Sequence, residues 1–572
     1  MEKYVLSFKP AIGEFGVHDP SAAIFRNGEI LYAVEEERLN RQKHAAGDFP
    51  HRAIQACLEY PDIDLSDVDK IILPYNPKLQ TKITGQKLRE AASWGDSTVE
   101  KAYQLSESIK RLAIARFYPT VEVEQELRSH FDGPLPPIGL RAHHACHAAS
   151  AFHPSDFDQA LVLTIDGRGE YDSTVVWEGT HNGLQRIKTF EFPNSLGYFY
   201  GIVTEFLGYR VSNGEGKIMG LAPYGSENPE IESTLRDLID VQAEYDVTPL
   251  TKSGSIRTGV EVLEEALGRE RKSDTEQFTD WEKDLAFVTQ KLLEEIVVDI
   301  PRQYTAELDT SNVALSGGVA LNCKMNKEIM ELDCVDNLFI QPVASDAGLA
   351  VGGGMIDQSP QSVPEMSTVY WGPEYSNDEI EALLQKNKVE YTEPAELSEF
   401  VASRIVDGKL VGWFQGRLEM GPRALGNRSI IADPRTVESR DRVNKYVKHR
   451  EEWRPFAPSM LEEKADQFLV NQEESPYMIK TFDTDAESRD DITAVLHPGD
   501  NTTRPQTVRR DQNERYYDLI SAFEEITDVP VLLNTSFNDH GEPIVTTPAE
   551  ALKDFYGMGL DVLVLNDFVV EK

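Results

Sequence analysis

The chain has 572 residues, 97 acidic against 57 basic, and so a formal charge of −40, a surplus that repels nucleic-acid phosphates and anionic lipid and disfavours both as partners. With 40% hydrophobic residues it is globular, and long enough for roughly two to four domains. No run approaches the ~18 apolar residues of a membrane span, and the opening MEKYVLSFKP lacks a signal peptide's apolar core, so a cytoplasmic location is expected.

Residues 4–8 read as a strand, followed by a Gly-bearing turn and by apolar stretches at 22–25 and 30–34. Asn27-Gly28 between those stretches is a β-hairpin signal. The order recurs: 160–165 ends at Asp166-Gly167, and 173–178 leads to a turn at His181-Asn182-Gly183, which predicts a duplicated core. Helical periodicity over 99–117 and 280–304 adds helices on the flanks of mixed sheets. Residues 312–315 predict a strand that leads through Ser316-Gly317-Gly318 into a helix from about Val319. Another strand is expected at 338–341, then a Gly-rich stretch at 352–354. Residues 359–364, rich in Pro and Ser, begin an inter-domain link, and the capping box Ser376-x-x-Glu379 opens a new helix. A basic and aromatic segment between Trp413 and Arg454 marks a separate C-terminal domain in an otherwise acidic chain. The acidity is dispersed, at a pI of 4.7, which fits a salt-adapted cytoplasm, with an ordinary acidic enzyme as the alternative. Cys57, Cys146, Cys323 and Cys334 form no C-x-x-C pair, so neither a disulfide framework nor a zinc finger is expected.

The sharpest chemical signal is His143-His144-Ala145-Cys146-His147. On a helix His143 and His147 share one face, about 6 Å apart, and His144 points elsewhere. Asp166 ends a predicted buried strand at a Gly turn, where an uncompensated polar group is costly; Asp346 follows another strand. Two His with one or two Asp suit Fe(II), Mn or Zn better than Ca. Chance spacing on a solvated helix is the plain alternative. The Gly317-Gly318 turn permits close backbone approach and offers free N–H groups at a helix start, or is simply a tight turn. Gly214-Glu215-Gly216-Lys217 reads as a second flexible loop carrying a cation, and neither glycine stretch fits a P-loop. Arg417, Arg423, Arg428, Arg435, Arg454 and Arg504 form a guanidinium-rich group that suits an anion site, against the alternative of salt bridges to the many carboxylates. His18-Asp19 in the turn after the first strand could be an oriented base or a local turn contact.

Taken together, His18 to Ala23, Glu35-Glu36-Glu37-Arg38, Arg41, Lys43-His44, the histidine helix, Asp166-Gly167, GEGKIMGLAPY from Gly214, Ser316 to Cys323, RLEMGPRALGNRSIIADP from Arg417, Arg454 to Pro458, Arg504 to Val508 and LNTSFN from Leu533 resemble the NodU/CmcH carbamoyltransferase family, which includes nodulation and antibiotic O-carbamoyltransferases. The likeness runs along nearly the whole chain. It implies an α/β enzyme with a duplicated N-terminal ASKHA-type domain over 1–360, similar to the tRNA threonylcarbamoyltransferase subunit, a link over 361–378, and a YrdC-like domain over 379–572. The implied reaction forms carbamoyl-adenylate and pyrophosphate from carbamoyl phosphate and ATP, then passes the carbamoyl group to a hydroxyl of a small molecule such as a sugar or antibiotic-like metabolite. The implied metal is Fe(II), or Mn, Mg or Zn in its place, on residues matching His143, His147, Asp166 and Asp346. Lys43, Gly318 and Asn322 match positions that hold the adenylate, and His18 matches the residue that takes the hydroxyl proton. Arg423, Arg454, Arg504 and Asn534 match the carbamoyl phosphate site. Two departures stand out: only Glu14 is a candidate for the acid that holds the acceptor in the antibiotic enzymes, and Ser345-Asp346 replaces a common Gly-Asp pair. Competing readings are a fused tRNA threonylcarbamoylation enzyme, disfavoured by the charge; a hydrogenase-maturation carbamoyltransferase, disfavoured by the missing zinc-finger cysteines; a sugar-kinase-like phosphotransferase; and a nonenzymatic nucleotide-dependent scaffold. The expected partner is the small-molecule acceptor, with neither membrane nor nucleic acid, and a homodimer is left open.

Overall fold

A computed structural model describes residues 2–85, 88, 98–273, 275, 277–450 and 453–572. It divides into two units, one of residues 1–36 and 44–366, the other of 37–43 and 367–572. No described helix is long and apolar enough to cross a membrane. All four cysteines are free thiols.

The first unit contains two five-stranded sheets. The first is built from β1 (Tyr4–Lys9), β2 (Ser21–Arg26), β3 (Glu29–Glu35), β4 (Lys70–Leu73) and β5 (Ile138–Leu140), in the order β3-β2-β1-β4-β5. The second is built from β6 (Gln159–Ile165), β7 (Asp172–Thr180), β8 (Gly183–Glu191), β9 (Asn312–Ser316) and β10 (Asn337–Ile340), in the order β10-β9-β6-β7-β8. The pairing is the same in both. The first three strands form an antiparallel meander, the fourth joins the first in parallel, and the fifth joins the fourth in parallel. This is the duplicated core that the two similar openings predict. Asn27 and Gly28 both adopt positive φ, 53° and 100°, as a tight hairpin between β2 and β3 requires.

Helix α1 (His143–Phe152) lies on the second sheet through Ala148, Ala151 and Phe152, which form an apolar cluster with Val162, Val175, Trp177 and Ala314. The long helix α2 (Asp280–Leu308) opens on a capping box of Thr279 and Glu282. Where a helix was expected from Val319, residues Gly318–Leu321 make a 3-10 turn, and helix α3 (Cys323–Met330) begins only after Asn322. The reason is local: the Asn322 side chain accepts the Met325 N–H and so caps the helix four residues later than the glycine turn suggests. The Gly-rich stretch at 352–354 belongs to helix α4 (Leu349–Met355). A Cβ at Gly352 would stand 2.0 Å from the Cys146 carbonyl oxygen, so the glycine lets α4 and α1 approach backbone to backbone.

The second unit is one mixed sheet of β11 (Val411–Phe414), β12 (Arg428–Ala432), β13 (Ala457–Leu461), β14 (Gln506–Val508), β15 (Val531–Ser536), β16 (Val562–Leu565) and β17 (Phe568–Glu571), in the order β14-β13-β15-β12-β11-β16-β17. The predicted capping box is present: Ser376 and Glu379 cap Asn377–Asn387 reciprocally. Residues 37–43, placed by sequence in the first domain, cluster here instead. Arg38 donates to the Gly421 carbonyl at 2.7 Å, and Arg41 to Ile544 and Pro543 at 2.6 and 2.8 Å.

Glu36, 1% exposed, accepts the Ala53 N–H at 2.8 Å and so serves the open start of the helix His51–Glu59. Burial, opposed by that hydrogen bond, raises its pKa to about 7. A carboxyl whose pKa is higher in the folded than in the unfolded state costs nothing at low pH; the cost grows as pH rises from the unfolded value through about 7, then stays constant. Glu36→Gln keeps the acceptor without the charge. It is expected to leave the melting temperature unchanged near pH 4 and to raise stability at pH 8 by up to about 3 kcal/mol. Thermal melts at the two pH values check this.

Candidate functional site

Several residues of interest stand at the carboxyl ends of parallel strands: Lys9 closes β1, Asp166 follows β6, Ser316 closes β9 with Gly317 after it, and Asp346 lies in the turn after β10. Crevices of open α/β sheets form at such ends. Into this region α1 brings its first turn. Ala142 offers no capping side chain, so Glu170 takes its place, accepting the His143 N–H at 3.0 Å and the Asn76 N–H at 2.7 Å. A buried carboxylate at a helix start is favourable to the helix dipole and fixes where His143 begins.

His143 and His147 lie on one face of α1, with ring centroids 4.7 Å apart. Asp166 Oδ2 is 3.1 Å from His143 Nε2 and 3.2 Å from His147 Nε2; Asp346 Oδ1 is 3.7 and 3.9 Å from the same two atoms. The four ligand atoms all fall within 4.8 Å of one another. Donors around a first-row cation, at about 2.1 Å from it, stand about 3.0–3.4 Å apart, so the set fits a divalent transition metal. His144 turns away, as expected, to Thr164 Oγ1 at 2.9 Å and the Asp172 carbonyl at 3.2 Å. The outer contacts of the cluster are equally specific. His147 Nδ1 meets Ser316 Oγ at 3.1 Å, Asp166 Oδ1 accepts the Gly167 N–H at 2.6 Å, and Asp346 Oδ2 pairs with Lys9 at 3.0 Å. Each carboxylate therefore keeps one oxygen for the histidines and commits the other.

Burial alone would raise the Asp166 pKa, yet the hydrogen bond to His143 and the His147 imidazole 3.2 Å away hold it well below the carboxylate range. Burial likewise opposes charge on His147, but the carboxylates of Asp166 and Asp346 beside it lift its pKa to about 9. The same opposition of charges is what a bound cation satisfies in place of protons.

The glycines of the β9 turn serve this cluster. Gly317 has φ 94°, and a Cβ there would meet the Ile165 carbonyl oxygen at 2.3 Å; a Cβ at Gly318 would stand 3.2 Å from Asp166 Oδ1. Besides capping α3, Asn322 exchanges two 3.0 Å amide hydrogen bonds with Gln290 of α2. The segment Gly214–Lys217 is not a loop: Glu215–Leu221 is a helix, and Lys217 lies 4.7 Å from the Tyr209 ring centroid.

His18 Nδ1 is 2.8 Å from Asp19 Oδ2, and Asp19 Oδ1 is 2.8 Å from His44 Nδ1, so one carboxylate orients two imidazoles. Burial lowers the His18 pKa, but the Asp19 hydrogen bond together with the negative charges of Asp19 and Asp346 outweighs it and leaves a net rise. Among the described residues His18 Nε2 has no hydrogen-bond partner, which leaves that atom for a ligand.

In the second unit the arginine group divides. Arg428 is fully buried and spends its guanidinium on the carbonyls of Gln415, Asn427, Gly416 and Pro373. Arg417 donates to Trp371 and Gly372, and Arg435 pairs with Asp433. These three are structural, which corrects the reading of all six as one anion group. Arg423, Arg454, Arg504 and Asn534 are instead brought to one end of the sheet. β13 and β14 run parallel with Ser459 level with Gln506, and Arg454 and Arg504 immediately precede these two strands. Asn534 on β15 pairs with Ala457 on one side and Ile431 on the other. Its Nδ2 reaches the Ala424 carbonyl at 3.2 Å, next to Arg423. Asn534 is 1% exposed and so shapes the Arg423 turn. Arg504 is half-buried without an ion pair or hydrogen bond among the described residues, unusual in so acidic a chain.

Sequence reasoning missed Lys448, whose ammonium is held by Ser536 and Asn538 at the same end of the sheet. Burial and the neighbouring cations Arg450, Lys43 and Arg454 push its pKa well below the ordinary lysine value. It also missed Lys9, Glu170 and His44. A lysine closing an apolar strand, as in LSFK, was the available signal for Lys9.

Two family models match the chain. A model of the carbamoyltransferase N-terminus matches residues 12–355, and one of the carbamoyltransferase C-terminus matches 402–572. The uncharacterized protein sll1178 of Synechocystis is 36% identical over 97% of this chain and 95% of its own. Nodulation protein NolNO of Sinorhizobium fredii is 36% identical over 97% of this chain and 79% of its own, and nodulation protein U of the same organism 26% identical over 93% and 94%. With both ends of the family matched and full-length relatives above 30% identity, the chain is an enzyme of the NodU/CmcH-type carbamoyltransferase family.

Proposed function

We propose that this carbamoyltransferase draws on carbamoyl phosphate and ATP, forms carbamoyl-adenylate, and passes the carbamoyl group to a hydroxyl of a small-molecule acceptor. The first unit is read as ASKHA-type and the second as YrdC-like. The observation that carries the reading is the convergence of His143, His147, Asp166 and Asp346 within 4.8 Å, in a chain of this family.

In the second unit Arg504, Arg423 and Arg454 take the phosphate dianion, with Lys448 beside them and Lys43 adding charge; guanidinium forks suit phosphate oxygens, and the turn held by Asn534 fixes Arg423. Water displaces phosphate from the carbamoyl carbon, and the resulting carbamate oxygen bonds the α-phosphorus of ATP as pyrophosphate leaves. In the first unit Gly318 leaves room beside Asp166, and Asn322 at the start of α3 offers a nucleotide contact. His143, His147, Asp166 and Asp346 would hold Fe(II), or Mn, Mg or Zn in its place, which supplies positive charge for phosphate oxygens as AMP leaves. His18, oriented by Asp19, takes the acceptor proton on Nε2 as the hydroxyl oxygen bonds the carbamoyl carbon.

Incubation with ATP, carbamoyl phosphate, Fe(II) and a metabolite mixture is expected to yield phosphate, pyrophosphate, AMP and a product heavier by one carbamoyl group. ADP with a phosphorylated acceptor would replace this reading by a kinase.

A further inference from the structure

Lys9 is the last residue of β1, and its side chain is 1% exposed. A buried ammonium is tolerated only when paired. Its two partners belong to different parts of the site: Asp346 Oδ2 at 3.0 Å, and the backbone carbonyl of His18. The first contact decides which Asp346 oxygen faces the histidines, since Oδ1 is the one 3.7 and 3.9 Å from their Nε2 atoms. The second ties down the far end of the loop that leaves β1 and returns at His18. Gly16 shows how closely that loop passes over the ammonium. Its φ is 120°, and a Cβ there would stand 3.3 Å from Lys9 Nζ. Other ties of the loop run elsewhere, from Ala11 N to Asp48, from Gln80 Nε2 to the Glu14 carbonyl at 3.0 Å and from Gly47 N to Val17.

We propose that Lys9 is a positioning residue that couples occupancy of the four-ligand cluster to the placement of the His18 loop. Lys9 balances Asp346 within a pair of carboxylates; a divalent cation takes over part of that balance and leaves the ammonium to its other partner, the His18 carbonyl. Occupancy of the cluster thus tightens the loop that carries the base. The inference rests on the carbamoyl-transfer reading only for what His18 does.

The test is hydrogen exchange of residues 10–18 in the full chain with and without Mn(II), beside calorimetric Mn(II) titration. In the wild type, Mn(II) is expected to slow exchange in this loop several-fold. In Lys9→Met, Mn(II) should bind at least as tightly as in the wild type, because the ammonium that shares Asp346 with it is gone, and at saturating Mn(II) the loop should show no added protection. Gly16→Ala, which crowds the ammonium from the loop side and retains the Asp346 pair, should keep Mn(II) affinity within about threefold and lose most of the protection; it decides the matter if Lys9→Met does not fold. In transfer assays both variants should lower kcat with the carbamoyl phosphate KM unchanged. Full metal-dependent protection in either variant would overturn the proposal. Neither binding measurement uses carbamoyl phosphate or acceptor, so the outcome is separate from that of the proposed reaction.

Discussion

His147→Ala is expected to abolish carbamoyl transfer, by at least ~10²–10³-fold, and to take metal content from about one per chain to a small fraction of that. The size of the effect follows from geometry. His147 Nε2 faces Asp166 at 3.2 Å and Asp346 at 3.9 Å, and Ser316 fixes the ring from its other nitrogen at 3.1 Å. No neighbour can substitute, because His144, although its ring centroid lies 5.2 Å from that of His143, is committed through both nitrogens to Thr164 and Asp172. His144→Ala therefore makes the control. It breaks two buried hydrogen bonds and should lower thermal stability, since each orphaned partner costs about 1–3 kcal/mol, while retaining metal. Metal analysis of the two purified variants, beside their melting curves, separates the roles. Equal metal content in both would show that the cluster is a structural hydrogen-bond network and no more.

Arg504→Ala is the second large effect. Its guanidinium is half-buried without a partner among the described residues, so truncation strands no carboxylate and should leave stability nearly unchanged. A charge-assisted contact to phosphate is worth about 1.5–3 kcal/mol, which predicts a carbamoyl phosphate KM raised about 10–150-fold. Metal content should not move. Arg428→Ala is expected to behave in the opposite way, because four backbone carbonyls lose their donor in the core of the second unit, and its main outcome is unfolding. Initial-rate kinetics and melting curves on the two variants distinguish a ligand-binding arginine from a structural one.

What was legible in the sequence was local. Histidines four apart on a helix fall on one face whatever surrounds them, and an aspartate after an apolar strand stands at a sheet end. The hairpin turn at Asn27-Gly28 and the capping box at Ser376 are equally short-range, and so was the duplication, since each copy repeats its own turn signals. Contacts between distant segments left no such trace. Lys9 shows in the sequence only as a lysine closing an apolar strand; its partner Asp346 comes from the far end of the unit. Counting arginines could not separate Arg428, consumed by carbonyls, from Arg504, because both follow from the path of the strands. At Gly214 and Val319 glycines were read as loop and helix start; the neighbours Glu215 and Asn322 decided both differently, the one by beginning a helix and the other by capping one later.

Residues 37–43 carry a consequence for how such a gene can be divided. A polypeptide cut after residue 366 would leave the C-terminal piece without Arg38 and Arg41, whose guanidinium groups supply donors to the carbonyls of Gly421, Pro543 and Ile544, and without the Arg38 carbonyl that accepts from Thr546. The N-terminal product keeps the whole first unit with residues 37–43 attached, and no single scission yields a whole second unit by itself. Recombination that exchanged one half for a relative's would have to carry this short insert along, matched to its new host, so the two halves are bound to diverge as a pair.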